Sequence, residues 1–105
     1  MAAPLQCAEV PTQSASRYLQ QLAKHWSHRL YVIFTPEKAD IGFPNGSKAK
    51  LIAHPDHLYV ELASPDQETL AQMQTVLVEH LDRFAFREAP LEFNWCSADD
   101  SGGKA

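Results

Sequence analysis

Two segments of this chain repeat their apolar residues every three or four positions, while the stretches around them alternate every second position. That switch of period constrains the fold more than any other property, because it sets both the type and the order of the elements. The first helical stripe is Ala15, Tyr18, Leu19, Leu22 and Trp26; the second is Leu70, Met73, Leu77, Leu81 and Phe84. At about 100° per residue, each set falls on one side of a helix. Leu5–Val10 precedes the first helix as a strand. Between the helices, Leu30–Thr35 (LYVIFT) is β-branched and aromatic, and Ile41 and Phe43 alternate. Lys48–His54 sends Ala49, Leu51 and Ala53 one way and Lys48, Lys50 and Ile52 the other. Leu58, Val60 and Leu62 alternate with Tyr59 and Glu61, and after the second helix Leu91, Phe93 and Trp95 share a face. The expected order is β-α-β(4)-α-β. Tight turns between consecutive strands make this an α+β fold, with two helices on one face of an antiparallel sheet.

The boundaries carry their own chemistry. Pro11 closes the first strand, and Thr12 or Ser14 caps the helix, which is expected to stop near Ser27–His28. Asn45-Gly46 marks a hairpin, both residues tolerating positive φ, and Pro55-Asp56-His57 marks another turn. In Ser64-Pro65-Asp66-Gln67, Ser64 is the expected N-cap, Pro65 opens the first turn, and Gln67 closes a capping box. Pro90 precedes the last strand.

The 105 residues fit one domain, expected over residues 1–96, with SADDSGGKA (residues 97–105) as a flexible polar tail. Apolar residues at 45% and charged residues at 21% exclude a disordered chain. A formal charge of −4 provides no electrostatic footprint for nucleic acid, so no nucleic-acid partner is expected. No run approaches the roughly 18 apolar residues of a membrane span, and MAAPLQCAEV lacks the features of a secretory signal. A cytoplasmic protein with no membrane partner is therefore expected. Its two cysteines, Cys7 and Cys96, are expected to be reduced thiols; a bridge would require the terminal strands to be neighbours.

Three places hold groups that can do chemistry. Lys24-His25-Trp26-Ser27-His28 ends the first helix, and His25 and His28 are three apart on its surface, as metal ligands can be. His54 and His57 complete such a site only if their turn folds against this helix end. Cations at a helix C-terminus equally complement its partial negative charge. Around the end of the second helix lie His80, Arg83, Phe86 and Arg87. Arg83 and Arg87, four apart, can clamp a carboxylate or phosphate, or can pair with Glu79 and with Asp82 or Glu88. The third place is a sheet face: Tyr31, Ile33, Ile52 and Tyr59 lie opposite the expected core, apolar enough for a homodimer interface or ligand groove. A register slip of one residue exchanges the two faces. There is no GxSxG elbow, phosphate loop, HExxH or dinucleotide fingerprint, so no cofactor is expected and binding is favoured over catalysis.

Arg17–His28 (RYLQQLAKHWSH), Val32–Glu37 (VIFTPE) and His80–Trp95 (HLDRFAFREAPLEFNW) resemble a bacterial family, domain of unknown function 2218, over roughly Ala8 to Trp95. The resemblance implies a TBP-like fold, a curved antiparallel sheet under two helices. Its members stand alone or follow the flavin-binding reductase part of siderophore-interacting proteins. Its characteristic residues correspond to Lys24, His25, Trp26, His28, His80, Arg83, Phe84, Phe86, Arg87 and Glu88. It implies no established activity, and the reductase chemistry of the fused relatives does not carry over. The leading expectation is a binding or accessory domain for a small anionic ligand or siderophore. His25, His28, His80, Arg83 and Arg87 would face that ligand, with Trp26 and Phe86 packed beneath. A homodimer through the open face and a metal-dependent hydrolase using the His25–His28 pair are the alternatives.

Overall fold

The elements of this computed structural model, which describes residues 4–97, follow the two periodicities closely. In chain order they are β1 (Leu5–Pro11), α1 (Ala15–Trp26), β2 (Tyr31–Phe34), β3 (Lys38–Gly42), β4 (Lys48–Ala53), β5 (His57–Ala63), α2 (Gln67–Phe84) and β6 (Cys96–Ser97). The strands form one antiparallel sheet in the order β2-β3-β4-β5-β1-β6. Three turns lay β2 to β5 side by side, and β1 returns to the free edge of β5. Most of the expected tail, from residue 98 on, lies outside the described residues. Among the described residues no helix is long and apolar enough to cross a membrane.

Both helices contact one another and pack on the same side of the sheet. Leu19 and Leu22 of α1, Leu70, Leu77 and Leu81 of α2, and Leu51, Leu58, Val60 and Leu62 of the sheet are almost wholly buried. Burial of each such side chain favours folding by about 1.5–3 kcal/mol, an upper bound because unfolded chains already hide some surface. Gln6 also faces this side, where its side-chain oxygen accepts from Gln74 Nε2 at 3.0 Å.

Four boundary expectations need correction. Asp66, not Ser64, caps α2: its Oδ1 accepts from the Thr69 N–H at 2.8 Å, which holds its carboxyl below the usual range. Ser64 is instead buried, with its hydroxyl 2.7 Å from that of Ser47. A buried hydroxyl needs a partner, and the β3–β4 turn supplies one. In that turn only Gly46 takes positive φ, at 90°. Asn45 serves through its side chain, accepting from the Ser47 N–H at 2.9 Å. Phe43 lies beyond β3, where it meets Trp26 edge-on at 5.2 Å. The expected strand at Leu91–Trp95 makes no ladder. Leu91 is buried and Phe93 stacks on Trp95 at 5.8 Å, so alternation there reflects packing on the core rather than strand pairing.

Candidate functional site

Strand alternation turns every second residue of the sheet away from the helices, and the register aligns these residues in rows. The first row runs Tyr31, Gly42, Lys48, Ala63, Leu5 across β2, β3, β4, β5 and β1. The second runs Ile33, Asp40, Lys50, Glu61, Cys7 and on to Cys96. The third holds Lys38, Ile52, Tyr59 and Glu9. Tyr31, Ile33, Ile52 and Tyr59 thus share the uncovered face. Tyr31 and Ile33 are 67% and 57% exposed, whereas Ile52 and Tyr59 are half-buried.

The first row has a dip. Gly42 and Ala63 are small, while Tyr31 and Leu5 stand at its two ends, and a groove of about 340 Å³ opens along it. A Cβ added at Gly42 would meet the Tyr31 Cβ and Cδ2 at 3.7 and 3.8 Å, so the tyrosine forms a wall directly beside the glycine. Lys48 and Lys50 line the same groove. Lys50 has Asp40 and Glu61 as its cross-strand neighbours, whereas Lys48 has only Gly42 and Ala63. Lys48 is therefore the groove lysine with no carboxylate directly opposite, while Asp40 and Glu61, diagonal to it, line the same groove. Glu61 is oriented from the third row, accepting from the Tyr59 hydroxyl at 2.8 Å. Burial, then that carboxylate, raises the Tyr59 phenol well above its usual value and keeps it a donor.

The two helix ends also meet. His25 lies 5.6 Å from His80 and 5.8 Å from Phe84, and Trp26 lies 5.0 Å from His80, between ring centroids. His80 Nδ1 is 2.7 Å from the Val76 carbonyl. A carbonyl can only accept, so Nδ1 donates and carries the proton. Lys24, His28, Arg83, Phe86 and Arg87 are exposed, and the Arg87 guanidinium lies 5.7 Å from the Phe86 ring. Among the described residues neither arginine makes an ion pair with Glu79, Asp82 or Glu88. Asp82 is engaged elsewhere, accepting from the Leu91 N–H at 2.9 Å. Two helix C-termini converge here, so the local backbone potential is negative and favours the cations already present over an incoming anion.

His54 and His57 do not join them. Their rings stack at 4.4 Å, and His57 Nδ1 lies 2.7 Å from Asp56 Oδ1. That turn sits beside Thr12, whose N–H donates to the Asp56 carbonyl at 3.2 Å, near the start of α1. His25 and His28 lie at the opposite end of this 12-residue helix, about 18 Å away at 1.5 Å per residue. No group of three metal-ligating side chains forms among the described residues.

Sequence reading missed Leu5, Gly42, Lys48, Lys50 and Ala63 as one constellation. Each is ordinary alone, and the five become a groove only when the register is known. It also missed Glu88 as an anchor, although the family resemblance includes this residue. Its carboxylate accepts from Thr12 Oγ1 at 3.0 Å and from the Tyr18 hydroxyl. The segment after α2 thereby turns back along α1.

The fold has a solved relative. The NMR structure of PA4090 from Pseudomonas aeruginosa is 43% identical and superposes with a TM-score of 0.74, covering 89% of this chain and 95% of that one. No curated protein matches the chain. A family model described as an uncharacterized protein conserved in bacteria matches residues 7–96. That span runs from within β1 to the first residue of β6, and the chain belongs to this family, DUF2218.

Proposed function

We propose that this chain is a non-enzymatic binding domain whose site is the groove across the open sheet face. The ligand class is a small molecule with an apolar body and a carboxylate. The observation that carries the reading is a concave row walled by Tyr31, floored by Gly42 and Ala63, with no acid directly opposite Lys48. Ligand sites combine apolar walls with a few polar groups that fix orientation, and this row has that composition. Carboxylate siderophore chelates and simple organic acids fall in this class, and the fused relatives of the family make ferric chelates the first to try, with a trihydroxamate as the comparison that lacks a carboxylate.

The test is a titration of the full chain with a ferric tricarboxylate, a ferric trihydroxamate and succinate, using a diamagnetic gallium analogue of each chelate for amide shifts. Shifts at Tyr31, Gly42 and Lys48, together with roughly tenfold weaker binding in Lys48→Met, support the groove. Shifts centred on His25 and Arg83 would move the site to the helix ends. An absence of shifts with all three ligands sinks the reading.

A second reading uses the same face for a second copy of the chain. It rests on the exposure of Tyr31 and Ile33 on the edge strand β2, since unpaired edges with apolar side chains invite strand addition. Sedimentation of wild type against Ile33→Asp decides it: a dimer lost on substitution supports it, and a monomer in both rejects it.

A further inference from the structure

The terminal strands bring two thiols together from opposite ends of the chain. Cys7 of β1 and Cys96 of β6 are directly opposed in the antiparallel ladder, with Sγ atoms 3.6 Å apart. Directly opposed residues have Cα atoms about 4.5–5.5 Å apart, within the roughly 4.4–6.8 Å window of disulfides. The backbone thus already holds the geometry that a bond requires, and the sulfurs have about 1.5 Å left to close.

The two partners differ in access. Cys96 is exposed on the last strand at the sheet edge, whereas Cys7 is half-buried between β5 and β6. Burial, and then the neighbouring Cys96, pushes the Cys7 thiol up. An oxidant from solution meets Cys96 first, with Cys7 positioned behind it. The strand they join needs the help. β6 has only two residues, with two register pairs to β1, and the stretch before it makes no ladder.

We propose that Cys7 and Cys96 form a reversible redox pair whose disulfide, made by a peroxide, staples the C-terminal strand to the sheet edge. The Cys96 thiolate attacks one peroxide oxygen, the O–O bond breaks, and the departing hydroxide takes a proton to become water. The resulting sulfenic sulfur of Cys96 is then attacked by Cys7 Sγ. The S–O bond breaks, the S–S bond forms, and hydroxide leaves with the Cys7 proton as a second water. Two thiols lose two electrons in total, and one peroxide is reduced to two waters. The bond closes a loop spanning 89 positions, so it constrains nearly the whole unfolded chain. This inference rests on the β1–β6 edge and is independent of the groove.

The full chain, fully reduced and then treated with one equivalent of hydrogen peroxide, provides the test through intact mass, thiol titration and thermal melting. Wild type is expected to lose both thiols and two hydrogens in mass within a single chain. The oxidised form is expected to melt on the order of 10 °C above the reduced form, reversibly with dithiothreitol. Cys96→Ser, a change at an exposed site, is expected to show neither the mass loss nor the gain in melting temperature. Persistent thiols, added oxygen, cross-linked copies, or unchanged melting of a disulfide-bonded monomer would each overturn the proposal.

Discussion

On the side of the sheet beneath the helices, β3, β4 and β5 present Ile41, Leu51, Val60 and Leu62, each at most 3% exposed. On the other side the same strands present Asp40, Lys50, Glu61 and the Gly42–Ala63 dip. The backbone is shared, so the contrast arises entirely from which residue occupies alternate positions. The helix side is a packing problem, in which volume decides and every missing methylene leaves a cavity. The open side is under no such demand. A depression there, walled by an exposed tyrosine, is not explained by core packing, and that marks the groove as a candidate binding site.

The contrast can be broken or sharpened by substitution. Leu22→Ala, at a wholly buried position of α1, is expected to cost about 2–5 kcal/mol in urea unfolding. On the open side, Ile33→Ala is expected to stay within about 0.5 kcal/mol. Equal losses at the two positions would mean that the open face is covered in solution.

Tyr18→Phe removes the hydroxyl that donates to Glu88 while leaving the buried ring in place. A loss of about 1–2 kcal/mol is expected. Glu88→Gln should behave similarly if the carboxylate is what ties the segment after α2 back to α1. Unchanged stability in both would make that tie incidental. Burial and then Glu88 hold the Tyr18 phenol above its usual value, so the ring remains a donor through neutral pH.

A further effect concerns the cap of α2. The Asp66 carboxyl is held below its ordinary value of 3.8 by the Thr69 N–H, and that of Asp56 by His57. A depressed carboxylate supports folding above its unfolded value and loses that support as pH falls through the folded value. Melting temperature should therefore drop as pH falls below about 4. Asp66→Asn, which keeps the cap but not the charge, should show a shallower drop. Asp66→Ala is expected to lower melting by about 5 °C at neutral pH. Parallel pH curves for wild type and Asp66→Asn would remove the carboxylate from the account.

Much of the fold was legible because periodicity is local. The stripes Leu70–Met73–Leu77–Leu81 and Ala49–Leu51 each report the geometry of a single element, and each is buried where expected. The caps were less legible. Ser64 and Asp66 are both good N-cap residues, and the choice fell to the Ser47 hydroxyl, contributed by a turn 17 positions away. The histidines divide in the same way. His25 and His80 meet because the helix ends do, while His54 and His57 lie by the other end of α1. Spacing along the chain carries no information about that.

The amino-acid sequence by itself determined an α+β chain with two amphipathic helices and antiparallel strands between them, because side-chain period follows from backbone geometry within each element. Only the tertiary structure decided that Gly42 and Ala63 flank Lys48, and that Cys7 faces Cys96. Both depend on register between strands, which is set by turn geometry and by the packing of one face against the helices.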